Sequence, residues 1–290
     1  MILGALEAGG TKMVMAIGDE NGTIMEQLLL PTETPDITVP KMIEYFASKN
    51  VEGLGIGCFG PIDINKSSNT YGYITTTPKL AWRNYNIVGE FSKALNVPVG
   101  FDTDVNASAL GEATWGSTKG LSDSIYLTFG TGVGVGVISN NRLLHGMLHP
   151  EAGHILLTQR EDDTYQGKCP YHGTCLEGLT SGPAIEERWG KPGKELAKMP
   201  EVWDLEAYYI AQALVNFILT LSPKRIVLGG GVMHQEQLFT LVREKVKELL
   251  GGYINTKELS DLDSYIVPAG LKDQQGIMGC LQLAVNAYNE

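Results

Sequence analysis

No segment of the 290-residue chain has the unbroken apolar length that a bilayer-spanning helix requires, and no run of lysines and arginines appears. The N-terminal MILGALEAGG lacks a basic leader and is interrupted by Glu7, which argues against a secretion signal. The formal charge is −11, with 22 Lys and Arg against 33 Asp and Glu. An acidic chain without a basic stripe lacks the electrostatic footprint of a nucleic-acid binder. The expected partners are small molecules, with no nucleic acid and no membrane, and the expected location is the cytoplasm. Cysteine is scarce, at four residues. In a reducing compartment so few thiols argue against a disulfide framework and leave metal binding as the better use of a clustered pair. The Walker spacing GxxxxGK[ST] is also missing, so any phosphate site must be built another way.

What is present is a pattern that occurs twice. Residues 2 to 32 read as strand, glycine turn (GGTK), strand, polar turn (DENG) and strand, a three-stranded antiparallel meander. The same order returns over 124 to 148 as SIYLTF, GTGVG, VGVIS, NNR and LLHGML, which points to an internal repeat. Helical and strand-like segments alternate after each meander, among them a long apolar helix LEAYYIAQALVNFILTL (205–221) and a strand SYIVPAG from Ser264, and the fold class that follows is α/β in two halves. The boundary falls near Trp115 to Lys119, giving an N-terminal domain over 1–116, completed by a C-terminal helix over 275–290, and a second domain over 117–274.

Each meander carries glycine and threonine at its first turn: Gly9, Gly10, Thr11 and Lys12 in one, Gly130, Thr131 and Gly132 in the other. Glycine there most often serves backbone geometry alone, but successive N–H groups beside a threonine hydroxyl can also hold a phosphate. Recurrence at equivalent places in a repeat favours the second use. A further cluster, Gly229, Gly230 and Gly231, ends a strand before a helix, where ligands gather in open α/β sheets and a nucleoside could lie. In VPVGFDTDVNASALGE, alternation sets Asp102 and Asp104 on one side of a strand, and spacing alone does not choose between them as a proton acceptor. Asp104 could equally be a helix cap.

The stretch KCPYHGTC puts Cys169, His172 and Cys175 at three-residue intervals. Three borderline-soft ligands are one short of a closed tetrahedral zinc site, and His145, His149 and His154 are the nearest candidates for the fourth. Five residues between the cysteines are too many for a CxxC redox pair.

These motifs together resemble the ROK sugar kinases of the actin-like ATPase superfamily, most closely their bacterial fructokinase branch. The matching segments are EAGGTK (7–12), CFGPID (58–63), DTDVNASALGE (102–112), TFGTGVGVGV (128–137), HPEAGH (149–154), CPYHGTCLEGLTSGPA (169–184) and VLGGGV (227–232). The resemblance implies two ribonuclease H-like domains with a cleft between them, and ATP-dependent phosphorylation of a hexose with Mg2+. By resemblance Asp104 is the base, and Gly60, Asn106, Glu151, His154 and Glu177 contact the sugar. His154 becomes the fourth ligand of a structural Zn2+ with Cys169, His172 and Cys175, and the three glycine clusters bind ATP or ADP. Glu7 is the carboxylate nearest a magnesium ion, acting through water. Fructose is the favoured hexose, with glucose, mannose or an N-acetylhexosamine as alternatives. Sugar-sensing repressors of the same family carry a helix-turn-helix before the first meander, whereas Ile2 already opens a strand here, so the regulator reading is disfavoured. A homodimer is left open.

Overall fold

The computed structural model describes residues 1–290. One compact unit comprises Met1–Gly120, Leu143–Pro150 and Gly270–Glu290; the other comprises Leu121–Arg142 and Glu151–Ala269.

The first unit opens with strands β1 (Leu3–Ala8), β2 (Lys12–Gly18) and β3 (Ile24–Pro31), paired antiparallel in the expected meander. Helix α1 (Pro35–Ser48) leads to β4 (Gly53–Cys58), which pairs parallel with β1. A small ladder that sequence patterning did not reveal, β5 (Tyr73–Ile74) with β6 (Tyr85–Asn86), precedes helix α2 (Ile87–Leu95). The Asn86 side chain caps α2 by accepting the Gly89 N–H, and Asn96 ends it in the left-handed region. Strand β7 (Val99–Thr103) and helix α3 (Asp104–Thr114) follow.

The second unit repeats the plan with β8 (Ser124–Phe129), β9 (Val133–Ser139) and β10 (Arg142–Leu143). Next come α4 (Leu176–Thr180), α5 (Gly182–Trp189), α6 (Pro200–Leu221), β11 (Ile226–Gly229), α7 (Gln237–Leu250), α8 (Leu262–Tyr265) and β12 (Ile266–Pro268). The strand orders are β3-β2-β1-β4-β7 and β10-β9-β8-β11-β12, one arrangement built twice. Two expectations change. The strand expected over LLHGML shrinks to two residues, because 144–148 leave the ladder and join the first unit. The strand expected from Ser264 begins only at Ile266, since Asp261 caps a helical turn by accepting the Ser264 N–H.

The C-terminal helix α9 (Gln275–Asn289) belongs to the first unit. Period-two alternation divides the sheet's apolar side chains. Leu3, Ala5, Val14 and Ala16 pack with Ala107 of α3 and Ile277, Leu281 and Ala284 of α9. Leu6, Ala8, Met13 and Met15 pack on the opposite side with Met42, Phe46 and Phe91. Complete burial of each large side chain stabilises the fold by about 1.5–3 kcal/mol. Buried Glu112, at the end of α3, accepts the N–H groups of Ser117, Gly270 and Leu271, and so ties the returning chain to this helix.

Helices α3 and α9 cross in backbone contact. A Cβ on Gly279 would lie 1.7 Å from the Ala107 carbonyl oxygen, and one on Gly111 2.3 Å from that of Gln275. Gly279→Ala should therefore destabilise the protein by about 1–3 kcal/mol or more, read as a lower denaturation midpoint in urea, because the obstacle is main chain that cannot swing aside.

Candidate active site

Asp102 and Asp104 leave β7 on either side of Thr103, and their environments separate them. Asp102 is 2% exposed and fully engaged. Its Oδ1 accepts the Thr103 N–H at 2.8 Å and the Asn106 Nδ2 at 2.7 Å, and its Oδ2 pairs with His145 Nε2 at 2.8 Å. Asp104 is half-buried, and its Oδ1 accepts only the adjacent Val105 N–H, at 2.8 Å. The cap of α3 is Thr103, whose hydroxyl accepts the Asn106 N–H at 3.1 Å, so Asp104 is not needed for that role. Burial pushes the Asp104 carboxyl above its ordinary range, with the Val105 N–H opposing. Asn106 is 1% exposed, with Nδ2 on Asp102 and Oδ1 without a partner. Gly60 lies in the turn after β4.

Alternation along β1 places Glu7 on the side of Leu3 and Ala5, against α9. A Cβ at Gly276, in the first turn of that helix, would fall 2.7 Å from Glu7 Cδ, so glycine makes room for the carboxyl. Burial, then the charge of Asp104, pushes Glu7 up to about 7, with Lys12 opposing.

The turn between β1 and β2 is closed by Gly9 N–H to Lys12 O at 3.1 Å, and Thr11 and Lys12 are exposed. Lys79 escaped the sequence reading: its Cε lies 3.0 Å from where a Gly10 Cβ would be, adding a cation to this turn. Nothing in the local pattern TTTPKLAW marks it, since the contact joins residues far apart in sequence. In the second unit, Gly130 N–H bonds to Gly132 O at 2.9 Å. Gly230, at φ +87°, lies against it: a Cβ there would come within 2.5–2.7 Å of the Phe129 backbone. Fold and glycine together bring 130–132 beside 229–231.

His154, Cys169, His172 and Cys175 converge, with all four donor atoms within 4.8 Å of one another. His154 Nδ1 is 3.7 Å from Cys169 Sγ and 3.5 Å from Cys175 Sγ, and His172 Nδ1 is 3.6 Å from Cys169 Sγ. A tetrahedral zinc with bonds of about 2.0–2.3 Å has ligand-to-ligand edges of roughly 3.3–3.8 Å, so the cluster fits that ion. Burial pushes the Cys175 thiol up to about 11, and a bound cation would displace that proton. His145 and His149, the other candidates for the fourth ligand, lie in the first unit.

The cluster is also tied to the second glycine turn. Gly153 packs so closely that a Cβ would sit 1.8 Å from Val133 O, and Glu177 Oε2 accepts the Val133 N–H at 3.0 Å. Glu151, exposed, precedes the turn that carries His154.

Because Glu7 is raised, it holds its proton in the folded state across pH values at which the unfolded chain has released it. Stability is thus lost as pH rises from about 4.5 to about 7. Glu7→Gln should match the parent near pH 4 and exceed it above pH 7 by on the order of 1–3 kcal/mol in urea denaturation.

The ROK family model matches residues 3–287. The chain is 47% identical over 284 residues to the fructokinase of Pediococcus pentosaceus, covering 98% of each. It is 42% identical over 289 residues to the fructokinase of Lactococcus lactis subsp. cremoris, covering 99% of this chain and 98% of that one. The crystal structure of the ROK hexokinase from Thermus thermophilus superposes with a TM-score of 0.77 at 26% identity, covering 99% of this chain and 98% of that chain. The α/β fold expected from the motifs is borne out by that superposition. Since the match runs from the first strand into the last helix, the chain belongs to the ROK family.

Proposed function

We propose that this protein is an ATP-dependent hexose kinase whose substrate is fructose, converted to fructose 6-phosphate with release of ADP. The observation that carries the chemical reading is the contrast at the end of β7: Asp102 is saturated with hydrogen bonds, and Asp104 keeps an uncommitted carboxylate oxygen. Phosphoryl transfer asks the protein for position, charge neutralisation and a proton acceptor. Asp104 fills the last role by accepting the proton of the sugar hydroxyl as it attacks the γ-phosphorus, and its partial burial raises its basicity. The preference for fructose rests on the full-length relatives that carry that name.

Each of the two glycine turns is a phosphate-binding element through its backbone N–H groups, Gly9–Lys12 in the first unit with Lys12 and Lys79 supplying positive charge and Gly130–Gly132 in the second, where Gly229–Gly231 borders the nucleoside. Mg2+, when bound, offsets phosphate charge, and Glu7 would hold it through water. No helix is long and apolar enough to cross a membrane.

The two cysteines and two histidines would hold zinc as a closed set of four, so its work there is structural. Glu151, His154 and Glu177, the sugar-contacting side chains of this wall, all lie within three residues of a ligand or are ligands themselves. Structural zinc is worth roughly 10–16 kcal/mol in small fingers, comparable to a whole domain's stability of about 5–15 kcal/mol.

Asp104→Asn should lower turnover by about a hundred- to ten-thousandfold in a coupled ADP-release assay, with an unchanged circular dichroism spectrum. Near-normal turnover would remove Asp104 from the role, and a hexose panel in the same assay identifies the preferred sugar. Metal analysis should find one zinc per chain. Stripping it should abolish sugar binding by calorimetry while nucleotide still binds; intact sugar affinity in zinc-free protein would overturn the bracing role.

A further inference from the structure

Residues 144–150, which follow β10, are the part of the repeat that has no counterpart in the first meander. Where β3 continues for eight residues, β10 stops after two, and the chain crosses to the first unit as an irregular strap. Its tip is held by little packing: Met147 is fully exposed, and a Cβ on Gly146 would meet nothing within 4 Å. Two histidines anchor it instead. His149 is buried, and its Nε2 accepts the Ile62 N–H at 3.1 Å, in the CFGPID turn after β4. His145 Nε2 meets the buried Asp102 carboxylate at 2.8 Å, with 39% of its side chain exposed and no protein partner on Nδ1. Asp102 in turn grips Asn106 and the Thr103 N–H, so one carboxylate joins the strap to the first turn of α3, which carries Asp104.

We propose that His145 is a positioning residue: by pairing with Asp102 it seats the 143–150 strap against the Asp104–Asn106 turn and so shapes the acceptor site that selects the hexose. The inference rests on the kinase reading above. A strap anchored by its two histidines and by Leu143 at its root, with its 146–147 tip free of packing, can set the reach of a pocket wall without being part of the rigid core. The pairing is charge-assisted, because its acceptor is a desolvated carboxylate. Loss of the imidazole leaves Asp102 Oδ2 buried without its donor, and both strap and α3 turn relax. The site that suffers is the sugar's, since neither element contributes to the glycine turns.

The test compares wild type, His145→Ala and His145→Gln across fructose, glucose, mannose and N-acetylmannosamine in the ADP-release assay, with thermal unfolding recorded for each. A hydrogen bond to a charged group predicts that His145→Ala raises the KM for fructose about ten- to a hundredfold, leaves the KM for ATP within about twofold, and flattens the ratio of kcat/KM among the hexoses. Glutamine can place an amide N–H near the position of Nε2, so His145→Gln should recover most of the loss. The proposal is overturned by a fructose KM in the alanine variant close to wild type. It is overturned equally if sugar and ATP parameters decline together with the melting temperature, or if glutamine performs no better than alanine. A wild-type protein that releases ADP with none of the hexoses would sink the kinase reading, and this inference with it.

Discussion

A carboxylate removed from water must find donors for its oxygens, and Asp102 is where that requirement organises the first unit. It takes the Thr103 N–H, the Asn106 amide and the His145 ring, and these come from the strand end, the helix and the strap respectively. Helix α3 can start where it does because Thr103 caps it from the same bend. With Asp102 satisfied, the neighbouring Asp104 is left half-buried and short of partners, which is the condition of a group available for proton transfer. The pairing of one committed and one uncommitted acid, two residues apart, is a packing result.

Close backbone approach plays the corresponding part in the second unit. Gly153 lets the His154 turn press on Val133, and Gly230 lets the β11 end press on Phe129. Glu177 fastens α4 to the same Val133 through its N–H. The cysteine–histidine cluster, Gly153 and the turn at 130–132 thus form one connected body. A side chain as small as alanine at Gly153 would push the cluster off the turn it braces.

The duplicated sheet order shows how one plan accommodates different tasks. Both sheets read as a meander followed by two parallel strands. The first copy keeps a full third strand, and the second gives up all but two residues of it to send a histidine-bearing strap elsewhere. Helix α9 is likewise shared out of order, closing the first sheet's apolar side from the far end of the chain. That closure demands glycines at 55, 111 and 279, where main chain meets main chain.

Much of this was legible in one dimension. Strand alternation, the two glycine turns and the spacing of Cys169, His172 and Cys175 are local properties, and local sterics and ligand chemistry are enough to read them. The long helices α6 and α9 were legible for the same reason. Other features depend on residues distant in sequence: the choice of Asp104 over Asp102 as the uncommitted acid, the gathering of His154 beside Cys169, His172 and Cys175, the approach of Lys79 to Gly10, and the truncation of the third strand before His145. The sequence by itself determined the repeat, the sheet alternation and the inventory of reactive groups, because each follows from neighbouring side chains. Only the tertiary structure decided which carboxylates are hydrogen-bonded, which are left desolvated and which histidines meet them, because burial and hydrogen bonding are properties of a packed interior that no local pattern encodes.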